Sequence, residues 1–284
     1  MISVIILTKN EEKNIGKCLD YLYKQTYNDI EIIVVDANST DSTVEIAKSY
    51  EVRVIKEERN KGGFGYARNL GVKNSKGEVI VFLSADAFLI DERTLEESVK
   101  SLKEYEVDGV WGKLLFPQTP LGVYFSRPFE QPLKVTEKWN SKPPRTTCFL
   151  MLRREVFNDV GFFDEDFREG VEDQEFIYRL YKNGKKLLYN PRIKIFHNTD
   201  CSIKYQAKKA YREGKMLRKL YKKYRIGDEG FTSVLYPLKA VLASVYSCID
   251  CVRRTGIKGF YVFLYNYRLM MERRRGFLDS NGKL

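Results

Sequence analysis

The sequence predicts an α/β fold, in which a mostly parallel β-sheet carries helices on both faces and is followed by a C-terminal helical extension. Two observations lead to this prediction. Through the first third of the chain, short apolar runs alternate with segments of helical periodicity, as in parallel strands joined by crossover helices. The last 84 residues consist instead of basic and apolar segments with helical spacing.

The alternation can be followed element by element up to residue 105. Apolar and often β-branched runs predict four strands, at Val4–Leu7, Glu31–Val35, Val52–Ile55 and Val79–Leu83. Apolar residues three and four positions apart predict four helices, at Asn10–Tyr23, Ser42–Tyr50, Phe64–Asn74 and Leu95–Tyr105. The fourth strand is apolar throughout, so we expect it in the centre of the sheet.

The alternation stops between Gly112 and Arg145, a stretch rich in proline and aromatic residues. We expect a long lobe or loop over the sheet edge, and ordered loops of this length are often functional. Beyond it, apolar runs predict three more strands, at Thr147–Arg153, Lys186–Tyr189 and Ile193–Phe196, and a helix at Asp173–Asn183.

Positive charge is concentrated in the last third of the chain. Residues 1–200 carry 30 Lys and Arg against 32 Asp and Glu, whereas residues 201–284 carry 19 against 6. Ten basic residues and one acid lie between Lys204 and Arg225, many of them at helical spacing. Such a surface favours an anionic partner. Because no nucleic-acid fold signature accompanies it, we expect an anionic membrane surface and no nucleic acid.

Two apolar stretches follow the basic segment, at Phe231–Val252 and Gly256–Met271. Lys239 and Asp250 interrupt the first and leave ten uncharged residues between them, whereas a spanning helix needs about 20. We therefore expect helices that lie in the membrane interface. The N-terminus opens directly into an apolar strand, and five scattered cysteines fit a reducing compartment, so we expect peripheral attachment at the cytoplasmic face.

Acidic side chains follow the predicted strands at the edge where parallel sheets bind ligands. Asp36 comes directly after the second strand, and Asp86 lies three residues beyond Leu83. Between them, the segment KGGFGYARN forms a Gly-rich turn that leads to Arg68. Carboxylates, a flexible backbone and a guanidinium together fit a diphosphate held by a divalent metal. The turn matches no dinucleotide-binding or P-loop pattern, so by itself it is weak evidence for a phosphate-binding site.

In their order along the chain, five segments resemble glycosyltransferase family 2, whose members have the Rossmann-like GT-A fold. They are VIILTKNEEKNI at 4–15, VVDANSTDST at 34–43, GYARNLGVKNSKGEVIVFLSADA at 65–87, TTCFLMLRREVFNDVGFFDEDF at 146–167 and EDQEFIYRLYKNGKKLLYNPRIKIFH at 172–197. The resemblance implies a nucleotide-sugar-binding and catalytic GT-A domain over residues 1–200. Residues 201–284 would form a basic, amphipathic helical region for membrane association.

The resemblance also implies a reaction and a set of site residues. An inverting transfer would move one sugar from a UDP- or GDP-linked donor, with Asp173 as general base and Glu172 beside it as a second catalytic residue. The donor would contact Thr8, Asn10, Glu11, Asp36, Arg68, Ala85 and Asp86. Asp86 and His197, the only histidine of the chain, would hold Mn²⁺ or Mg²⁺ against the donor's phosphates.

The chain departs from the family pattern at two carboxylate positions. Where the family has a pair of Asp residues after the second strand, this chain has Asp36-Ala37. Where the family has the Asp-X-Asp motif, this chain has Ser84-Ala85-Asp86. Losing a carboxylate weakens the attraction for a cation, but the last Asp usually makes the direct bond, so we expect metal dependence. The Q-x-x-R-W motif of processive members is absent, so we expect one sugar per encounter.

Other interpretations of these residues stay open. Asp36 and Asp86 can cap the segments that follow them. Glu172 and Asp173 can favour a helix macrodipole, and a lone histidine such as His197 is often structural.

At the level of function, the C-terminal residues favour a lipid-linked saccharide or polyprenyl phosphate as acceptor. The alternatives are a sugar-phosphate nucleotidyltransferase, which would release pyrophosphate, and a non-catalytic GT-A-fold binding protein. Ser84 and Ala37 are the features that point to the binding protein.

Overall fold

The computed structural model describes residues 1–57, 63–117, 132–137, 146–225, 240 and 260–279. Contacts divide these residues into two compact units. The first holds Met1–Leu115, the described residues from 132 to 168, and Glu172–Asn198. The second holds residues 116–117, Glu169–Val171 and the described residues from Thr199 onward.

In the described part of the first unit, nine strands form one sheet. They are β1 (Ile2–Thr8), β2 (Ile30–Asp36), β3 (Arg53–Lys56), β4 (Val79–Ser84), β5 (Ala87–Leu89), β6 (Gly109–Leu115), β7 (Lys134–Thr136), β8 (Phe149–Arg153) and β9 (Leu187–His197). Their spatial order is β3-β2-β1-β4-β8-β6-β9-β5, with β7 paired to β9. The helices are α1 (Ile15–Tyr23), α2 (Thr43–Lys48), α3 (Phe64–Lys73), α4 (Thr94–Glu104), α5 (Val156–Val160) and α6 (Glu172–Lys182).

The first four strands are parallel, and their register determines where the polar residues meet. β1 lies between β2 and β4, with Thr8 opposite Asp36 and Leu7 opposite Ser84. The interior residues of these three strands are almost all buried, as expected for parallel strands covered on both faces. The carboxyl ends of β1, β2 and β4 therefore lie side by side at one edge of the sheet.

The predicted α/β class is confirmed, although the strands beyond β4 run in both directions. β8 is antiparallel to β4 and β6, while β6 and β9 are parallel. One strand, β9, replaces the two predicted at 186–196. Its pairing with β6 shifts register around Pro191, which cannot donate a ladder hydrogen bond.

Other boundaries also differ from the prediction. Helix α1 begins at Ile15 because Asn10 has φ of 56° and starts a turn instead. Residues 112–115, predicted to be irregular, belong to strand β6. The rest of that predicted lobe lies outside the described residues, except for 116–117 and 132–137.

Gly77, in the turn before β4, packs directly against the backbone of β1. A Cβ at this position would lie 2.6 Å from the Ser3 nitrogen and 2.9 Å from the Ile2 carbonyl carbon. Since backbone cannot move aside cheaply, we expect Gly77→Ala to lower the free energy of unfolding by about 1–3 kcal/mol. Urea denaturation checks this, with Gly16→Ala in α1 as the control. The new Cβ at Gly16 would make ordinary contacts, so the free energy of unfolding of that variant should be no lower than that of the wild type. Equal stability of the two variants would contradict the expectation.

In the second unit, helix α7 (Ile203–Tyr224) packs against helix α8 (Phe260–Asp279). Gly214 and Gly276 let the two backbones approach, because a Cβ on either would meet a carbonyl of the other helix. The C-terminal helical extension is thus present. The predicted apolar stretch Phe231–Val252 lies outside the described residues except for Ala240. Among the helices that the structure describes, none is long and apolar enough to cross a membrane.

Candidate active site

Asp86 and His197 face each other beyond the carboxyl end of β4. Asp86 follows two residues after Ser84, and His197 ends β9, where it pairs with Ala87 of β5. The Asp86 Oδ2 lies 3.2 Å from the His197 Nε2, with the two side chains 20% and 15% exposed. Asn198 N also donates to the Asp86 carbonyl at 2.8 Å. The pairing of β5 with β9 thus joins two predicted metal ligands that are far apart in sequence.

Opposing effects determine the charge of this pair. Burial by itself lowers the pKa of His197, but interactions of the imidazole with the Cys148 side chain and the Asp86 carboxylate outweigh burial and raise the pKa to about 10. The protonated imidazole is then an ion-pair partner of Asp86. Glu11 belongs to the same cluster: burial raises the pKa of its carboxyl, Asp86 raises it further, and His197 lowers it. A metal ion at this position competes with the imidazole proton.

The pair fits two neighbouring ligands of one divalent ion. Ligands at right angles around an octahedral ion, each about 2.1 Å from it, lie about 3 Å apart, close to the observed 3.2 Å. A carboxylate and an imidazole both suit Mn²⁺. No group of three or more His, Cys, Asp or Glu that could hold a metal occurs among the described residues. A bound ion would therefore need phosphate oxygens or water to complete its coordination.

The loops after β1 and β2 are tied together by hydrogen bonds. Asn10 N donates to the Ser39 hydroxyl at 2.8 Å, and Glu11 N donates to the Thr43 hydroxyl at 2.7 Å. Thr40 N in turn donates to the Asn10 side chain at 2.9 Å. These bonds hold the predicted donor-binding residues of the first loop beside those of the second.

Asp36 is fully buried and its hydrogen-bonding capacity is largely used within the chain. Its Oδ1 accepts from the hydroxyls of Thr8, at 3.1 Å, and Ser39, while its Oδ2 accepts from Ser39 N at 3.0 Å. The structure therefore assigns Asp36 the turn-capping role described above. Direct contact with a donor, which stays a prediction, would require one of these partners to move. Ala85 is 2% exposed, so a donor contact there would involve its backbone.

Arg68 and Glu172 form a buried ion pair. The Arg68 Nη1 lies 2.6 Å from the Glu172 Oε1, with the side chains 8% and 4% exposed. Glu172 is the first residue of α6, and Asp173 follows it with its Oδ1 accepting from Gln174 N at 2.8 Å. The pair thus joins a predicted donor-binding residue of α3 to the predicted catalytic residues. The convergence of Asp173 with Asp36 and Asp86 stays a prediction.

The Gly-rich turn serves close packing in the structure. Gly62 lies outside the described residues. A Cβ on Gly63 or Gly65 would lie 3.1 Å from backbone atoms of Arg168 and Asp164 respectively. These glycines therefore let the start of α3 approach the segment that precedes α6.

Sequence reasoning missed two asparagines that connect the predicted residues. The Asn14 Nδ2 donates to the Glu11 carboxylate at 2.7 Å, and the Asn198 Nδ2 donates to the Asn14 Oδ1 at 3.0 Å. They join the loop after β1 to the residue that follows His197. Both lie within or directly beside the segments quoted above, and their position there was the available signal.

Comparisons with known proteins agree with this architecture. The profile of the family described as Glycosyl transferase family 2 matches residues 3–161. The glycosyltransferase GlyG of Streptococcus pneumoniae is 28% identical over 223 residues, which cover 72% of each chain. A Methanococcus voltae relative is 29% identical over 244 residues, covering 78% of this chain and 75% of its own. It is named dolichyl N-acetyl-alpha-D-glucosaminyl phosphate 3-beta-D-2,3-diacetamido-2,3-dideoxy-beta-D-glucuronosyltransferase.

A solved structure shares the fold. The mannosyltransferase PcManGT from Pyrobaculum calidifontis, solved in complex with GDP-Man and Mn²⁺, superimposes with a TM-score of 0.67. The match covers 99% of this chain and 87% of that one at 20% sequence identity. The predicted GT-A fold is thereby confirmed.

Proposed function

This chain belongs to glycosyltransferase family 2 and is a glycosyltransferase, and from that membership we propose that it transfers one sugar, with inversion, from a UDP- or GDP-linked donor to an acceptor. The observation that carries the proposal is the Asp86–His197 pair at the ligand-binding edge of the sheet. PcManGT, which shares the fold, was solved with a GDP-linked sugar and Mn²⁺. Residues 1–200 form the catalytic part in this proposal.

Each group has a defined task in the proposed reaction. Asp86 and His197 would hold Mn²⁺ or Mg²⁺, which would supply positive charge to the departing nucleoside diphosphate when bound. Thr8, Asn10 and Glu11 shape the donor-binding edge. The Asp173 carboxylate accepts the proton of the acceptor hydroxyl. The acceptor oxygen then bonds to the anomeric carbon as the bond to the diphosphate breaks, so attack from the opposite face inverts that carbon.

We place the acceptor at the cytoplasmic face of a membrane and propose a lipid-linked saccharide or polyprenyl phosphate. The Methanococcus voltae relative is named for a dolichyl phosphate-linked sugar. Residues 201–284 then attach the protein peripherally to anionic lipid. In helix α7, Lys204, Lys208 and Arg212 are exposed and four residues apart, so they lie along one face. Nucleic acid is not a partner in this proposal.

Neutralising that face is expected to release the protein from anionic vesicles. Each Lys or Arg near an anionic surface contributes about 1 kcal/mol, so Lys204→Gln/Lys208→Gln/Arg212→Gln should weaken binding by about 10²-fold. Co-sedimentation with phosphatidylserine-containing vesicles measures this.

The matched control for the vesicle experiment is Lys24→Gln/Lys100→Gln/Lys103→Gln, which removes three exposed lysines of the first unit and should bind as the wild type does. Equal weakening by both triple variants would show a general charge effect. If RNA displaces the protein from the vesicles, and vesicles do not displace the protein from RNA, the anionic partner is nucleic acid.

A further inference from the structure

A buried row of aromatic rings joins strand β4, which leads to Asp86, to helix α6, which contains Asp173. Phe82 of β4 meets the edge of Phe163 with ring centroids 5.2 Å apart. Phe163 in turn stacks on Phe176 of α6 at 4.2 Å. The two ends of the proposed active site are therefore connected through one packed cluster.

Helix α3 inserts two polar side chains into this cluster. The Arg68 guanidinium lies 5.3–5.9 Å from the ring centres of Phe64, Phe82 and Phe163, within cation–π range. Its neighbour Asn69 holds the backbone of Phe163 by two hydrogen bonds, each 2.9 Å long. The segment before α6 is thus fixed to α3, and the Arg68–Glu172 ion pair fixes α6 itself.

Stability is a poor explanation for this ion pair. The Arg68 Nε and the Glu172 Oε2 are buried with no hydrogen-bond partner in the part of the chain that the structure describes. Buried ion pairs are often replaced by apolar residues of similar volume with no loss of stability, and incomplete hydrogen bonding makes the pair less favourable still. The ion pair does, however, fix the position of Glu172, and Glu172 directly precedes the proposed base Asp173.

We propose that Arg68 and Glu172 are positioning residues, whose ion pair fixes the first turn of α6 and so places the Asp173 carboxylate for catalysis. The role of Asp173 in this inference rests on the proposed function. Both residues act through Asp173 here, and neither touches the donor or the acceptor. The near-complete burial of the Arg68 guanidinium among three rings agrees with this assignment.

The test is the double variant Arg68→Met/Glu172→Met, which removes both charges together. We expect it to fold with a melting temperature at or above that of the wild type. The KM for the donor sugar nucleotide should stay within about threefold, while kcat falls by about tenfold or more. Amide hydrogen exchange at Phe176 and Ile177, the first amides to bond back to Glu172 and Asp173, should quicken by about tenfold.

A matched control removes the ion pair that joins the segment after α6 to α5, with 2.6 Å between the Lys185 Nζ and the Asp159 Oδ2. Lys185→Gln/Asp159→Asn should leave kcat and the exchange at Phe176 and Ile177 unchanged. Unchanged exchange in the Arg68/Glu172 double variant would overturn the positioning role whether or not any donor is turned over. A rise in donor KM, found with Arg68→Met but not with Glu172→Met, would also overturn it by showing that Arg68 binds the donor. Absence of transfer by the wild type would contradict the proposed function alone.

Discussion

Replacing Asp86 by alanine is expected to lower the rate of sugar transfer by on the order of 10²-fold or more. The change removes one of the two side chains, 3.2 Å apart, that are proposed to hold the divalent ion. Without that ion, the charge that develops on the departing diphosphate is not offset. Release of nucleoside diphosphate at saturating donor and Mn²⁺ measures the effect, and Mn²⁺ titration should show weaker binding.

The control for Asp86→Ala is Glu104→Ala, which removes an exposed carboxylate at the end of α4. It should leave both turnover and Mn²⁺ affinity at the wild-type level. The melting temperature of Asp86→Ala is expected to fall, because His197 loses its ion-pair partner, so turnover should be compared well below the melting temperature of both proteins. Turnover by Asp86→Ala within about threefold of the wild type would mean that another group performs this task.

Replacing Asp173 by asparagine is expected to lower kcat by a comparable factor, on the order of 10²-fold, when the acceptor nucleophile is a hydroxyl. Asparagine keeps the shape of the side chain and can still accept from the Gln174 nitrogen, but it cannot take up the acceptor's proton. The donor KM and the Mn²⁺ affinity should stay at wild-type values. Steady-state kinetics with varied donor and varied acceptor separate these effects.

The same variant also removes a negative charge from the first turn of α6, which costs about 0.3–1 kcal/mol of stability. Rates should therefore be compared well below the melting temperature of both proteins, with Glu104→Gln as control. An ionised phosphate acceptor needs no base, so transfer to polyprenyl phosphate should be far less affected by Asp173→Asn. Undiminished transfer to a hydroxyl acceptor would remove Asp173 from the proposed mechanism.

The strands were predictable because their sequence pattern is local. The apolar runs of β1, β2 and β4 specify buried parallel strands whatever else the chain does. Parallel register then places Thr8 beside Asp36 without further information. The start of α1 was not predictable in this way. Asn10 lies in a left-handed turn whose neighbouring amides bond to Ser39 and Thr43, and those partners lie about 30 positions away.

The candidate site shows the same division between local and distant causes. The contact between Asp86 and His197 depends on the pairing of β5 with β9, so only the family resemblance could associate them. Arg68 appeared in the sequence as a guanidinium after a Gly-rich turn and was predicted to bind the donor. Its burial depends on Phe82 and Phe163 converging around it, and spacing along the chain does not report that convergence.

The most direct measurement is thermal unfolding of the wild type and of Asp86→Ala with UDP- and GDP-sugars, each with and without Mn²⁺. A ligand at 100 times its Kd stabilises the folded state by about 2.7 kcal/mol, enough to shift the melting temperature measurably. We predict that at least one of these sugar nucleotides raises the melting temperature of the wild type only when Mn²⁺ is present, and does not raise that of Asp86→Ala. Equal shifts in both proteins, with or without Mn²⁺, would contradict a metal-held diphosphate at Asp86.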